Sequence, residues 1–92
     1  MSANFFEHEN CSVTYHTNKL IWFVQCRDNG TFERMKLALI LQIGEEMLLC
    51  NPKEKLITIR CSNIESFEIV QSVFEMAKTI LLFSEPNKMR DY

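Results

Sequence analysis

Glycine and proline are scarce in this chain, with two of each among 92 residues. A phosphate-binding loop needs several closely spaced glycines, so the sequence excludes a nucleotide site of that type. Together with a hydrophobic content of 47%, the same scarcity indicates a folded body with short connections, not a disordered chain. We therefore expect a single domain over residues 1–92, with mobile ends at residues 1–10 and 86–92.

The chain also lacks an excess of positive charge. Ten Lys and Arg residues against twelve Asp and Glu residues give a formal net charge of −2. No broad positive field is then available to attract phosphate backbones or anionic lipids. We therefore expect neither a nucleic acid nor a membrane surface as the partner.

Long hydrophobic runs are missing as well. The longest strictly apolar runs, Leu20–Val24 and Leu37–Leu41, are far shorter than the roughly 20 residues of a membrane-spanning helix. Residues 1–10 are acidic and polar, unlike the basic and then apolar start of a signal peptide. These features predict a cytoplasmic or nuclear protein.

Four cysteines are present, Cys11, Cys26, Cys50 and Cys61, and no two of them have the C-x-x-C spacing of a redox or zinc motif. We expect reduced thiols that are buried as small apolar side chains. A zinc site built from Cys11, His16 and Cys26 is the alternative. The spacing does not favour it, so we expect no metal and no cofactor.

The first half of the chain has the patterns of β-strands. Alternating apolar residues predict a strand over residues 11–16. Residues 20–26 are apolar on both faces, which predicts a central strand covered on both sides, and Asn29-Gly30 favours a hairpin turn after it. Residues 31–43 fit either a strand or a helix. As a helix their polar residues scatter around the axis, whereas as a strand their leucines share one side. We therefore predict a strand, although Leu and Met are also good helix formers.

Two further strands and a helix complete the predicted fold. Strands over residues 47–50 and 56–61 flank a turn that contains Pro52. Ser62 and Glu65 have the spacing of a capping box, which predicts a helix from Ser62 to about Ser84. The expected fold class is α+β, with a five-stranded antiparallel meander sheet followed by one long C-terminal helix packed on it.

This predicted helix has more apolar surface than one core requires. Its apolar side chains cover about 200° of the helix circumference, against roughly 100° for a helix on a single core. We assign Phe67, Val70 and Phe74 to the sheet. Unless the sheet curls far enough to cover the whole arc in a monomer, the remaining apolar positions predict a partner-binding shoulder: Ile69, Val73, Met76, Ile80 and Phe83.

No pattern in the sequence indicates catalysis, because no nucleophile lies beside a base and the paired acidic residues Glu45 and Glu46 fall in a predicted turn. We therefore expect a small noncatalytic protein–protein interaction module. It would serve as a subunit or adaptor of an intracellular complex, either as a homodimer or with another protein.

Two other functions stay open. A ligand-binding or lipid-binding module with a curled sheet needs a basic cluster, for which the candidates are Lys19, Lys53 and Lys55. A single-stranded nucleic-acid binder would instead stack bases on exposed Tyr15, Trp22 and Phe23.

Overall fold

The structure is a computed structural model that describes the backbone of residues 2–84 and the side chains of residues 3–77. The described residues form a five-stranded antiparallel sheet and two α-helices, which confirms the predicted α+β class. In chain order the elements are β1 (Ser2–His8), β2 (Cys11–His16), β3 (Ile21–Cys26), α1 (Asn29–Ile43), β4 (Leu48–Asn51), β5 (Leu56–Arg60) and α2 (Ile64–Ser84). The predicted mobile end at residues 86–92 lies outside the described residues.

The strand order in the sheet is β1-β2-β3-β5-β4, so the predicted meander order is wrong. The chain leaves β3 through α1 and returns to the sheet at its far edge as β4. The β4–β5 hairpin then brings β5 back against β3, where Trp22 lies opposite Ile59. An inserted helix therefore replaces the simple up-and-down connection.

The predicted strand over residues 31–43 is wrong, because this stretch forms most of α1. The Asp28 carboxylate caps the helix by accepting the Thr31 N–H at 2.7 Å. Gly44, at φ 93°, ends the helix and donates its N–H to the Ile40 carbonyl at 2.9 Å. Both ends of α1 therefore have cap residues, and these outweigh the strand-like alternation between them.

The predicted hairpin turn at Asn29-Gly30 is wrong for the same reason. These two residues form the first turn of α1 instead of reversing a strand. An Asn-Gly pair is compatible with either setting, and the cap residue just before it decides between them.

The N-terminal end that we expected to be mobile contributes the edge strand β1. It pairs with β2 through a bulge between Asn4 and Phe6. The bulge lets two consecutive phenylalanines reach the core, since the Phe5 ring lies 5.2 Å from that of Trp22 and Phe6 is buried. In a regular strand every second side chain faces the core. Phe5 and Phe6 both do so, and for this reason the sequence pattern does not predict β1.

The helix α2 begins at Ile64, so the predicted cap at Ser62 is wrong by one residue. The Asn63 side chain accepts the Ser66 N–H at 2.8 Å, and the Asn63 carbonyl accepts the Phe67 N–H at 3.1 Å. Asn63 therefore performs the capping that we assigned to Ser62.

Both helices pack on one face of the sheet. The buried cluster there joins strand and helix side chains: Phe6, Cys11, Val13, Trp22, Val24, Cys26, Ile57, Ile59, Phe32, Leu39, Phe67, Val70 and Phe74. The prediction that Phe67, Val70 and Phe74 face the sheet is confirmed. The ring of Trp22 lies at the centre of this core, 5.0 Å from Phe67 and 5.1 Å from Phe74.

Candidate functional site: the outer surface of the two-helix layer

A groove separates α1 from α2 on the side of the helical layer that faces away from the sheet. One part of it is a cavity of about 190 Å³ lined by Met35, Ala38, Leu39, Gln42, Val73, Phe74, Met76 and Ala77. A second cavity of about 220 Å³ is lined by Gln42, Ile43, Met47, Ser66, Ile69 and Val70. Because Gln42 borders both cavities, they form one groove between antiparallel helices.

Large apolar side chains are exposed on both helices, although only those of α2 line the groove. On α1, Leu37 is 58% exposed and Leu41 is 83% exposed, one helical turn apart. On α2, Ile69 is 57% exposed and Met76 is 61% exposed, two turns apart. With Val73 and Ala38 in the groove, these residues define what we call the outer helical surface: Leu37, Ala38, Leu41, Ile69, Val73 and Met76.

The structure brings three of the five predicted partner-binding residues to this surface. Ile69 and Met76 are exposed beside the groove, while Val73 is half-buried in it and packs against the core. The side chains of Ile80 and Phe83 lie outside the described residues. The predicted shoulder is therefore assembled over the first half of α2.

Sequence reasoning missed the α1 half of the outer helical surface. The predicted strand over residues 31–43 instead places Leu37 and Leu41 on the face of the sheet that receives the helix. Their spacing of four residues is the signal that a helical interpretation would have used, because residues i and i+4 share a helix face.

The charged residues of α1, Glu33, Arg34 and Lys36, all lie in its first half. Lys36 forms an ion pair with Glu33 at 3.1 Å and lies 5.8 Å from the centre of the Phe32 ring. The Arg34 guanidinium donates to the Thr31 hydroxyl at 3.4 Å. From residue 37 to residue 43 the helix has no charged residue. A protein packed against this half of α1 would therefore bury no α1 charge.

The opposite face of the sheet is more polar, and neither described helix covers it, so the predicted cover on both faces of β3 is wrong for the described residues. We call it the open face. A row of cross-strand neighbours crosses its middle: Thr14, Phe23, Thr58 and Leu49. Tyr15 and Trp22 point to the helical side instead, with ring centroids 5.1 Å apart, and Trp22 is only 1% exposed. Two of the three aromatic residues that the nucleic-acid alternative requires therefore pack in or against the core, where they cannot stack on bases.

The basic cluster required by the lipid-binding alternative does not form. Lys19 lies in the turn before β3, while Lys53 and Lys55 lie in the β4–β5 turn, beside the other end of β3. The Cys26 N–H, at that far end, donates to the Lys55 carbonyl at 2.9 Å. The whole length of β3 therefore separates Lys19 from the other two lysines.

The zinc alternative fails on geometry. Cys11 lies opposite Cys26, whereas His16 pairs with Ile21 at the other end of β2. The five steps along the strand place Cys11 and His16 about 16 Å apart. Among residues 3–77, no group of three or more His, Cys, Asp or Glu side chains is arranged to hold a metal ion.

The cysteines are free thiols, but burial differs among them. Cys11 and Cys26 are buried as expected, and Cys61 is half-buried. Cys50 is exposed, which contradicts the expectation, because β4 is an edge strand with no neighbour beyond it. Burial is the main cause that raises the pKa of each of the four thiols.

No protein-family model matches this sequence, and no curated protein and no solved structure shows significant similarity to it. Neither of the two described helices combines the length and the apolar character required to cross a membrane.

Proposed function

We propose that this chain is a noncatalytic protein–protein interaction module, a subunit or adaptor of an intracellular assembly, that binds its partner through the outer helical surface. The observation that carries the proposal is the exposure of four large apolar side chains on the helical layer, two from each helix, of which Ile69 and Met76 line the groove. Soluble monomers rarely expose contiguous apolar patches larger than a few hundred Å².

The size of the groove supports a protein partner over a small molecule. Its two cavities, about 190 and 220 Å³, are each smaller than the roughly 300 to 1,000 Å³ of a typical ligand pocket. A cavity of this size accommodates one or two apolar side chains of a partner. The flexible Met35 and Met76 side chains, which line the cavity of about 190 Å³, suit such a contact because thioether side chains adapt to irregular surfaces.

The groove favours a partner that presents an apolar helix face. Side chains of a third helix at positions i, i+3 or i+4, and i+7 would fit between α1 and α2 as ridges fit into grooves. A second copy of this chain supplies such a face through its own Leu37 and Leu41. Homodimers and complexes with another protein therefore use the same surface in this proposal.

Charge insertion tests the proposal. The double variant Leu41→Glu, Met76→Glu places one carboxylate on each helix of the outer helical surface, at exposed positions, so it should fold normally. The control is Leu49→Glu on the open face of the sheet, where the wild-type side chain is 59% exposed and thus comparable to Met76. Far-UV circular dichroism checks folding, and light scattering after size exclusion gives the mass of each variant, alone and mixed with cell extract.

We expect the wild type and Leu49→Glu to form the same assembly, and the double variant to elute as a folded monomer. The proposal would be contradicted if Leu49→Glu lost the assembly as completely as the double variant, or if the double variant kept the assembly.

A further inference from the structure

Two buried thiols face each other across neighbouring strands. Cys11 opens β2 and Cys26 closes β3, and the register of the two antiparallel strands places them directly opposite one another. Both side chains point to the helical side of the sheet, where Cys11 is 4% exposed and Cys26 is 3% exposed. Neither residue has a role in the outer helical surface.

The backbone hydrogen bonds identify the type of strand pair that they form. The Arg27 N–H donates to the Asn10 carbonyl at 2.9 Å, so the neighbouring pair is a hydrogen-bonded one. The Cys26 N–H donates away from β2, to the Lys55 carbonyl at 2.9 Å. Because the two pair types alternate along an antiparallel ladder, Cys11 and Cys26 form a non-hydrogen-bonded pair.

That pair type brings cysteines within bonding reach. Opposite residues of a non-hydrogen-bonded pair have Cα atoms about 4.5 Å apart, with their side chains close together. Disulfides span Cα separations of about 4.4 to 6.8 Å. A bond between Cys11 and Cys26 therefore needs no rearrangement of β2 against β3.

We propose that Cys11 and Cys26 form a cross-strand dithiol that low-molecular-weight disulfides convert into an intramolecular disulfide. A cavity of about 110 Å³, lined in part by Cys11, His8 and Arg34, lies on the Cys11 side of the pair. The pKa of Cys26 is raised to about 11, first by burial and then by the nearby Cys11 and Asp28. Few thiolates are present near neutral pH, so the conversion is slow and the reduced state persists without an oxidant.

The conversion proceeds in two exchange steps. One cysteine thiolate attacks a sulfur of the small disulfide, which forms a mixed disulfide and releases one small thiolate. The other cysteine then attacks the protein sulfur of that mixed disulfide and displaces the second small thiolate. The two protein thiols lose two protons and two electrons, and the small disulfide is reduced to two thiols that carry those protons.

The other two cysteines provide an internal control. Cys50 lies opposite Ile57, and Cys61 follows the end of β5, so neither faces a thiol across a strand pair. The structure therefore assigns a disulfide to one pair among the six combinations that four cysteines allow.

The test treats the full chain with oxidised glutathione in native buffer, stops the reaction with acid and alkylates the remaining thiols. Intact mass and peptide mapping then locate any link. We use the wild type, the double variant Cys50→Ser, Cys61→Ser, and Cys11→Ser added to that double variant. The same treatment in concentrated urea supplies the unfolded reference.

We expect the native wild type and the double variant to lose two hydrogens and to yield linked Cys11 and Cys26 peptides. The unfolded wild type should give mixed pairings, and Cys11→Ser should give no internal link. A double variant that keeps two alkylatable thiols, or carries glutathione without an internal link, would overturn the proposal.

Phenylarsine oxide provides a second test that requires no oxidation, because one arsenic atom binds two adjacent thiols with release of water. One equivalent should bind the native double variant and none should bind after Cys11→Ser. Absence of binding to the double variant would show that the thiols are not juxtaposed, even if Cys11→Ser itself fails to fold.

Discussion

The inner and outer sides of the helical layer are both apolar, but among the described residues the inner side chains are buried against the sheet and most of the outer ones are exposed. On the inner side, Phe67 and Phe74 pack within about 5 Å of Trp22, ring centre to ring centre. On the outer side, Leu41 and Met76 remain mostly exposed. Apolar content alone therefore does not distinguish residues that stabilise this fold from residues available to a partner. The distinction comes from what each side chain contacts.

The largest effect expected from this comparison is at Phe74, on the inner side. Phe74→Ala leaves a cavity beside Trp22 and should destabilise the fold by about 3 to 5 kcal/mol. Met76→Ala, two residues away on the outer side, should cost less than about 1 kcal/mol in the isolated chain. Urea unfolding monitored by Trp22 fluorescence measures both. Similar losses for the two variants would mean that the two sides are not distinct.

A smaller effect is expected at the start of α2. Asn63→Ala removes the side-chain acceptor for the Ser66 N–H and should cost about 1 kcal/mol. Ser62→Ala should change stability by less than about 0.5 kcal/mol, because Ser62 does not cap the helix. The same urea titration compares them, and a larger loss for Ser62→Ala would restore the capping assignment made from the sequence.

The smallest effect concerns the start of α1 and depends on pH. Hydrogen bonds from the Thr31 N–H and hydroxyl hold the pKa of Asp28 below its ordinary value. A carboxylate with a lowered pKa in the folded state stabilises the fold above its unfolded pKa of about 3.9 and loses that contribution as the pH falls further. The urea midpoint of Asp28→Ala should therefore lie below that of the wild type at about pH 6.

The difference between these two midpoints should shrink from about pH 6 to about pH 3, because the carboxylate loses its contribution as the pH falls below the unfolded pKa of about 3.9 toward the lowered folded pKa. A gap that stays constant between the two pH values would show that the charge of Asp28 does not contribute to the cap.

Much of the inner side could be predicted from the sequence. Alternation located β2, a run that is apolar on both faces located β3, and the turn at Pro52 separated β4 from β5. Helical spacing placed Phe67, Val70 and Phe74 on the sheet, because burial on one face of a helix gives one clear period.

Only the α2 half of the outer side could be predicted, because the sequence of α1 fits both the period of a strand and the composition of a helix. Its run of Leu and Met residues alternates like a strand and also suits a helix. Asp28 before the run and Gly44 after it are the start and stop signals that decide the matter. Because the prediction did not use these two caps, it left Leu37 and Leu41 out of the candidate surface. The first strand was also not predicted, because the bulge in β1 interrupts its alternation.

Site-specific photo-crosslinking in cell extract tests the central claim most directly. A crosslinking amino acid is placed at position 41 or 76 on the outer helical surface, and at position 49 on the open sheet face as the control. We expect positions 41 and 76 to crosslink to the same protein, either a partner or a second copy of the chain, and position 49 not to do so. Crosslinking confined to position 49, or none from positions 41 and 76, would contradict the proposal that the outer helical surface binds a protein.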